Sequence, residues 1–269
     1  MIGDTLQIVK GSSVVATVDE WFVAAPPKGG SRHRRAGRSA LACAEAWCND
    51  GRPRVPAEIA VLLASHPDTA DARVEWAEPE RRVRFDRLRG EPRNADVVAL
   101  ARSRHGAIAV SVEAKADEPF DRPVQQVLDA ADARLAAGGR TNARVRAEQL
   151  AAALFSPPWN GAPLGALRYQ LLTAAAGALA FARDVQATRA VLMVHEFVTP
   201  ATDDARHAAN TADLDAFWAA LTGCLGATLA SGVLGGPVTV PGAPLFGNPV
   251  PLYVGKAHRV TRAVAASAV

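Results

Sequence analysis

The sequence predicts an α/β protein with a mixed central β-sheet and helices on both faces, and three observations carry that expectation. Residues 107–117, AIAVSVEAKAD, alternate: Ile108, Val110, Val112 and Ala114 fall on one parity, Ala107, Ala109, Ser111, Glu113 and Lys115 on the other. A period of two sends successive side chains to opposite faces of a strand. Strand signals separated by turns precede it, at Val74-Glu75-Trp76, Arg82-Val83-Arg84-Phe85 and Asp96–Ala101, and a His105-Gly106 turn joins the last to the 107–115 strand. Such a meander makes the sheet partly antiparallel. Apolar stripes at helical spacing flank these strands, and a further apolar strand, RAVLMVHEFV, covers residues 189–198.

Taken in order, residues 1–30 read as an irregular segment, with Trp21, Phe22 and Val23 as an apolar anchor before a PPKGG turn. A helix from about Ser39 to Asn49 carries Ala40, Leu41, Ala44, Trp47 and Cys48 on one stripe, with Glu45 at its border. Pro56 opens a second helix bearing Ile59, Leu62 and Leu63. The Glu-Pro-Glu at residues 78–80 reads as a turn between two strands. Pro123 starts a helix with Val124, Val127, Leu128, Ala131 and Leu135 on one side, ended by Gly138-Gly139. Another helix spans about Ala143 to Leu154 and breaks at Pro157-Pro158. Leu164 to Arg183 is Ala-rich and apolar around most of its circumference, so it predicts a buried helix. Leu214, Phe217, Trp218, Leu221 and Leu225 mark an amphipathic helix.

From residue 226 onward Gly and Pro become frequent, with strand-like pieces at Val238–Val240 and Leu252–Val254. The expected organisation is therefore a domain over 31–225 with a helical insertion at about 123–160. It is preceded by the irregular segment and followed by a C-terminal appendage or edge strand over 226–269, whose last residues, Ala263–Val269, fray.

Composition narrows the function classes. The 269 residues, 49% hydrophobic, suit one large domain or a domain with an appendage. No apolar run approaches the roughly 18 residues of a membrane span, so no membrane partner is expected. The start of the chain lacks the features of a signal peptide. Cys43, Cys48 and Cys224 are odd in number and match no zinc spacing, which points to reduced, buried thiols in a cytoplasmic protein. A net charge of +3 permits nucleic acid as a partner without demanding it. Of 30 cationic residues 26 are Arg, so a Lys at the end of a core strand stands out. Lys is a compact point charge whose pKa shifts readily, whereas Arg is an always-charged fork.

That Lys is Lys115, two residues after Glu113. If the two strands joined at His105-Gly106 form a hairpin, Asp96 at the head of one lies beside Glu113 and Lys115 at the end of the other. Two carboxylates can share a hard cation such as Mg²⁺ or Mn²⁺, with the Ala114 carbonyl as a further oxygen ligand. Lys115 can orient or deprotonate a metal-bound water, and as an ammonium it can offset charge at phosphorus. Composition alone yields about 0.4 acid-x-Lys triplets, so the triplet gains meaning only from its strand setting. The plain alternative is an ion pair at a strand end.

The segments GRSALACAEAW, RNADVVALA, VEAKADEPF, RYQLLTAAAG and VLMVHEFV, in this order, resemble the PD-(D/E)XK nuclease superfamily, the restriction-endonuclease-like fold. Within it the chain is similar to an uncharacterised bacterial family, over roughly residues 20–225. The resemblance implies Asp96 and Glu113 as metal ligands and Lys115 as the catalytic lysine. It places Glu45 where many members carry a further acid on the first helix. Tyr169 and Gln170 stand for the Gln and Tyr that some members carry on the helix after the Lys strand, here adjacent and in reversed order. Ala95 stands where a proline is common, and the long segment 116–163 is an insertion.

The implied function is Mg²⁺-dependent hydrolysis of a phosphodiester, in DNA first. The alternative from another class is an inactive nuclease-fold module that binds nucleic acid or a protein partner. A homodimer is compatible with either. Arg32, Arg34, Arg35 and Arg38 form a basic cluster that can track phosphates or stand as a solvated segment. The same two readings apply to Arg134, Arg140, Arg144 and Arg146. Asp117 and Glu118 read as a solvated loop or a second metal site, His195 as a core histidine, Glu196 as the partner of an Arg, and Trp159 as a loop anchor.

Overall fold

The alternating stretch forms β5 (Gly106–Lys115), an inner strand in which everything from Ile108 to Lys115 is buried. A computed structural model describes residues 6–27, 30, 34–48, 51–116, 118–156, 163–199 and 202–261. β5 pairs antiparallel with β4 (Arg93–Ser103) through the expected tight turn, and parallel with β6 (Arg189–Val198). The remaining strands are β1 (Gln7–Lys10), β2 (Ser13–Val14), β3 (Arg73–Val83), β7 (Leu234–Val238) and β8 (Leu252–Val260). Together they make one mixed eight-stranded sheet of order β2-β1-β3-β4-β5-β6-β8-β7.

Both faces of the sheet are covered, which is why β5 and β6 are apolar on both parities. One face carries α4 (Val124–Ala136), α5 (Ala143–Leu154), α6 (Tyr169–Asp184) and α7 (Asp204–Thr222) over Val98, Ala109, Leu192 and Val254. The other carries α1 (Val18–Ala24), α2 (Ser39–Trp47) and α3 (Ala57–Ala64) over Val97, Val110, Met193 and Tyr253. The α/β class with helices on both faces is thus the observed one.

α6 is buried from Leu171 to Ala182, as its Ala-rich sequence predicts. Small residues let it approach the sheet closely. A Cβ at Gly177 would come within 3.2 Å of Arg93 Cγ, so this glycine makes room for the Arg93 stem. α7 starts at its N-cap Asp203, whose Oδ1 accepts from Ala205 N at 2.9 Å, and ends at Gly223, with φ +69°. It therefore stops short of Leu225, which is exposed.

Four expectations are corrected. The described part of residues 1–30 is not irregular: β1, β2 and α1 lie there, and α1 carries a capping box from Thr17 to Glu20. The Glu-Pro-Glu segment is no turn but the middle of β3, with Pro79 opposite Val97. On β3 the partners of β1 are Trp76 and Ala77, so Pro79 lies beyond that pairing on the edge of β3, where a strand tolerates proline. The C-terminal appendage is part of the sheet, since β8 lies between β6 and β7 and pairs parallel with β6 from Ala190↔Leu252 to Val198↔Val260. Gly255 and Lys256 interrupt its apolar run, which disguises a buried inner strand. Finally, Cys43 and Cys48 are buried free thiols as expected, but Cys224, just beyond α7, is exposed.

Candidate active site

β4 and β5 keep regular antiparallel register up to Val97↔Val112, and continuing it one step sets Asp96 opposite Glu113. There the backbone ladder gives way to a side chain: Asp96 Oδ2 accepts from Ala114 N at 2.7 Å. Lys115, one residue further, returns its Nζ to within 3.2 Å of Glu113 Oε1, with the ammonium over the Phe120 ring at 5.3 Å from its centroid. Asp96, Glu113 and Lys115 line one cavity of about 210 Å³ at this end of the sheet. The sequence brought these three together, and the structure does so too.

The cavity has further walls. Ser39 and Ala40, in the first turn of α2, line one side, and Ser39 Oγ donates to Glu118 Oε1. Gln170, in the first turn of α6, lines another. Its Nε2 donates to Glu113 Oε1 and its Oε1 accepts from Asp121 N at 3.0 Å. Gln170 thus lies in the cavity against Glu113. Tyr169 instead turns to Arg146, outside this cavity.

Glu45 is corrected. It lies on the exposed face of α2 and does not line the cavity. Its carboxyl is raised by partial burial alone, with no charged neighbour contributing. α2 buries Ala42, Cys43, Ala44, Ala46 and Trp47, which turns residue 45 outward.

A third acid comes from elsewhere. Glu80 on β3 lines the cavity and accepts from Asn94 Nδ2. Its φ of +48° is a left-handed backbone rarely adopted outside Gly, Asn and Asp. Lys10 pins this bend, donating to the Pro79 carbonyl at 2.9 Å and the Glu80 carbonyl at 2.7 Å. The missed signal was the β3–β4 register, which sets residue 80 beside residue 96 once residues 78–80 are read as strand.

Arg93 was also missed. It donates to Glu113 Oε2 in a buried ion pair, while its Nε has no hydrogen-bond partner among the described residues. Burial by itself would raise the Glu113 carboxyl, but Arg93 and Lys115 outweigh it and leave the pKa lowered. Asp96 goes the other way. Burial first, then the Glu113 and Glu80 charges, hold it well above the usual carboxylate range, against Lys115 and the Ala114 N–H.

The other weighed residues fall as follows. Of the basic cluster, Arg34 is tied to Asp19 and lies 4.9 Å over the Phe22 ring, Arg35 is exposed, Arg38 precedes α2 half-buried, and Arg32 lies outside the described residues, as do Asp117 and Trp159. His195 is fully buried and bonded to Glu58 at 2.6 Å, as a core histidine should be. Glu196 pairs not with an Arg but with His207 at 2.6 Å and Lys256 at 3.7 Å, because α7 and β8 bring those groups against β6.

No helix among the described residues is long and apolar enough to cross a membrane. No curated protein and no solved structure matches this chain. A family model described as Domain of unknown function (DUF6946) matches residues 14–257, nearly the whole chain, and the protein belongs to that family.

Proposed function

We propose that this protein hydrolyses phosphodiester bonds of nucleic acid, DNA first, with a divalent cation at Asp96 and Glu113. The observation that carries the reading is the convergence of Asp96, Glu113 and Lys115 on one cavity at the end of β5. The contact of Gln170, on the helix α6, with Glu113 is a further point in favour of the restriction-endonuclease-like resemblance.

The donor set fits the cation. Asp96, Glu113 and the Ala114 carbonyl offer only oxygen, as Mg²⁺ or Mn²⁺ prefers, and burial, with the Glu113 and Glu80 charges after it, raises the Asp96 carboxyl, a cost that a bound cation would offset. Among the described residues no three His, Cys, Asp or Glu side chains are grouped to hold a metal ion. Two carboxylates are within what Mg²⁺ uses when it keeps several waters. When bound, the cation supplies Lewis-acid stabilisation of charge on the phosphoryl oxygens.

The chain's own groups do the rest. Lys115, fixed against Glu113, presents an ammonium that hydrogen-bonds the incoming water or a phosphoryl oxygen and offsets developing charge. Gln170 and Arg93 hold the Glu113 carboxylate in one orientation. A bond forms from water oxygen to phosphorus as that water gives up a proton to solvent, the bond from phosphorus to the leaving ester oxygen breaks, and that oxygen takes a proton from solvent.

One observation favours a second reading, an inactive module that binds nucleic acid or a protein. Both Glu113 oxygens are already engaged, by Arg93 on one side and by Lys115 and Gln170 on the other. Incubating the purified protein with single- and double-stranded DNA and RNA in Mg²⁺, Mn²⁺ or EDTA separates the two. Cleavage that needs the cation supports the enzyme; binding without cleavage under every condition supports the module.

A further inference from the structure

A second and larger cavity adjoins the carboxylates. It holds about 470 Å³, and Asn94 and Gln170 line both spaces. Arg93 also lines it while reaching Glu113 with its guanidinium. The insertion and the start of α6 build much of the wall: Arg146 comes from α5, and Tyr169 packs its ring against the core beneath. Arg146 Nε donates to Asp86 Oδ2 at 2.5 Å and its guanidinium also meets the Tyr169 hydroxyl. Arg84, on the same wall, donates to the carbonyls of Leu88 and Gly90, both at 3.0 Å, so those bonds leave its charge uncompensated. Asp121 supplies an acceptor.

We infer that this cavity is the subsite for a single nucleotide next to the bond that is cut, taken from an unpaired strand. The inference rests on the phosphodiesterase reading above and adds the substrate class. A nucleotide joins a flat base, with amino donors on its edge, to an anionic phosphate. Tyr169 brings an aromatic ring to the wall for the base, Asp121 accepts from its N–H groups, and Arg84, with Arg146 beside its Asp86 partner, attracts the phosphate. The volume lies within the roughly 300–1,000 Å³ of small-molecule sites, the scale of one nucleotide and not of a duplex. A base inside a duplex would have to be unstacked and unpaired before it could enter, so single strands, ends and mismatches are the favoured substrates.

The test is a calorimetric titration of the full chain in EDTA with dAMP, dCMP, dGMP, dTMP and, separately, inorganic phosphate. At least one nucleotide should bind more tightly than phosphate. Tyr169→Leu should weaken nucleotide binding about 5- to 150-fold, the scale of one base–aromatic stack, while Tyr169→Phe keeps it. Arg146→Gln should weaken nucleotide and phosphate alike. No nucleotide binding, binding no tighter than phosphate, or a folded Tyr169→Leu that binds as wild type overturns the subsite. Equal losses in Tyr169→Phe and Tyr169→Leu also overturn it, because the effect would then belong to the hydroxyl and its Arg146 bond. Cleavage of DNA without nucleotide binding sinks the subsite and leaves the enzyme reading standing. Nucleotide binding without cleavage of any substrate supports the subsite and counts against the enzyme.

Discussion

Arg93 and Glu113 form an ion pair whose side chains are only 8% and 3% exposed, at the carboxylate that a cation would share with Asp96. A cation that takes that carboxylate oxygen must displace the guanidinium, so Arg93 is its competitor. Arg93→Met, which keeps an unbranched stem against Gly177, is expected to bind Mn²⁺ at least about tenfold more tightly than wild type, the scale of one charge-assisted hydrogen bond. In EDTA the same variant should melt lower, since Glu113 is left buried with fewer partners. Calorimetry and thermal melts read both effects. Misfolding would only weaken the metal site, so a folded variant with unchanged or weaker Mn²⁺ binding removes Arg93 from this role.

Lys115→Ala separates catalysis from binding. It removes an ammonium and leaves both proposed metal-binding carboxylates in place. Cleavage should fall by about 10²–10³, the cost of one well-placed electrostatic group. Nucleic-acid affinity should hardly change, because many phosphate contacts share the electrostatic term. A variant that cuts as fast as wild type would show that Lys115 is structural.

The raised Asp96 carboxyl sets a pH dependence. A group whose pKa is higher folded than unfolded favours the folded state below its unfolded pKa, near 3.9 for Asp, and that contribution is lost as pH rises through the folded value. At neutral pH, without divalent cations, Asp96 therefore costs stability relative to a side chain that does not titrate. Asp96→Asn keeps an oxygen able to accept from Ala114 N and should raise the melting temperature at pH 8 in EDTA. The gain should shrink as pH falls toward about 4. Mg²⁺ should stabilise the wild type and leave the Asn variant nearly unmoved, since only a ligand bound to the native state shifts the melt. A gain that is equal at pH 4 and pH 8 contradicts the electrostatic origin.

Phe181 on α6 tests the core beneath the site. It is fully buried, meets Trp76 edge-to-face at 6.0 Å between ring centroids, and lies under the Arg81 guanidinium at 5.4 Å. Phe181→Ala should cost about 3–5 kcal/mol in urea unfolding, from lost transfer energy and the cavity left behind. A loss under about 1 kcal/mol would mean that α6 relaxes into the space.

Local periodicity determined a good part of this protein before any fold was known. The alternation over 107–115 gave β5, the Ala-rich run gave α6, and RAVLMVHEFV gave β6, because strand and helix periods are written in neighbouring residues. Asp96, Glu113 and Lys115 were legible as a group because one tight hairpin brings the start of β4 to the end of β5.

Pairings between distant segments decided the rest. Residues 78–80 looked like a turn until β3 was seen to run through them, and only that register sets Glu80 by Asp96. β8 looked peripheral because its Gly and Lys hide an apolar strand, yet the parallel pairing with β6 puts it inside the sheet. Glu45 turned outward once α2 buried its small residues against the sheet, and no helical pattern alone says which border residue will face a cavity. Arg93 had no mark in the sequence to set it apart from the other arginines. Its role as the partner of Glu113 exists only because Gly177 leaves its stem a path between α6 and the sheet, an arrangement of three segments that no single stretch of chain encodes.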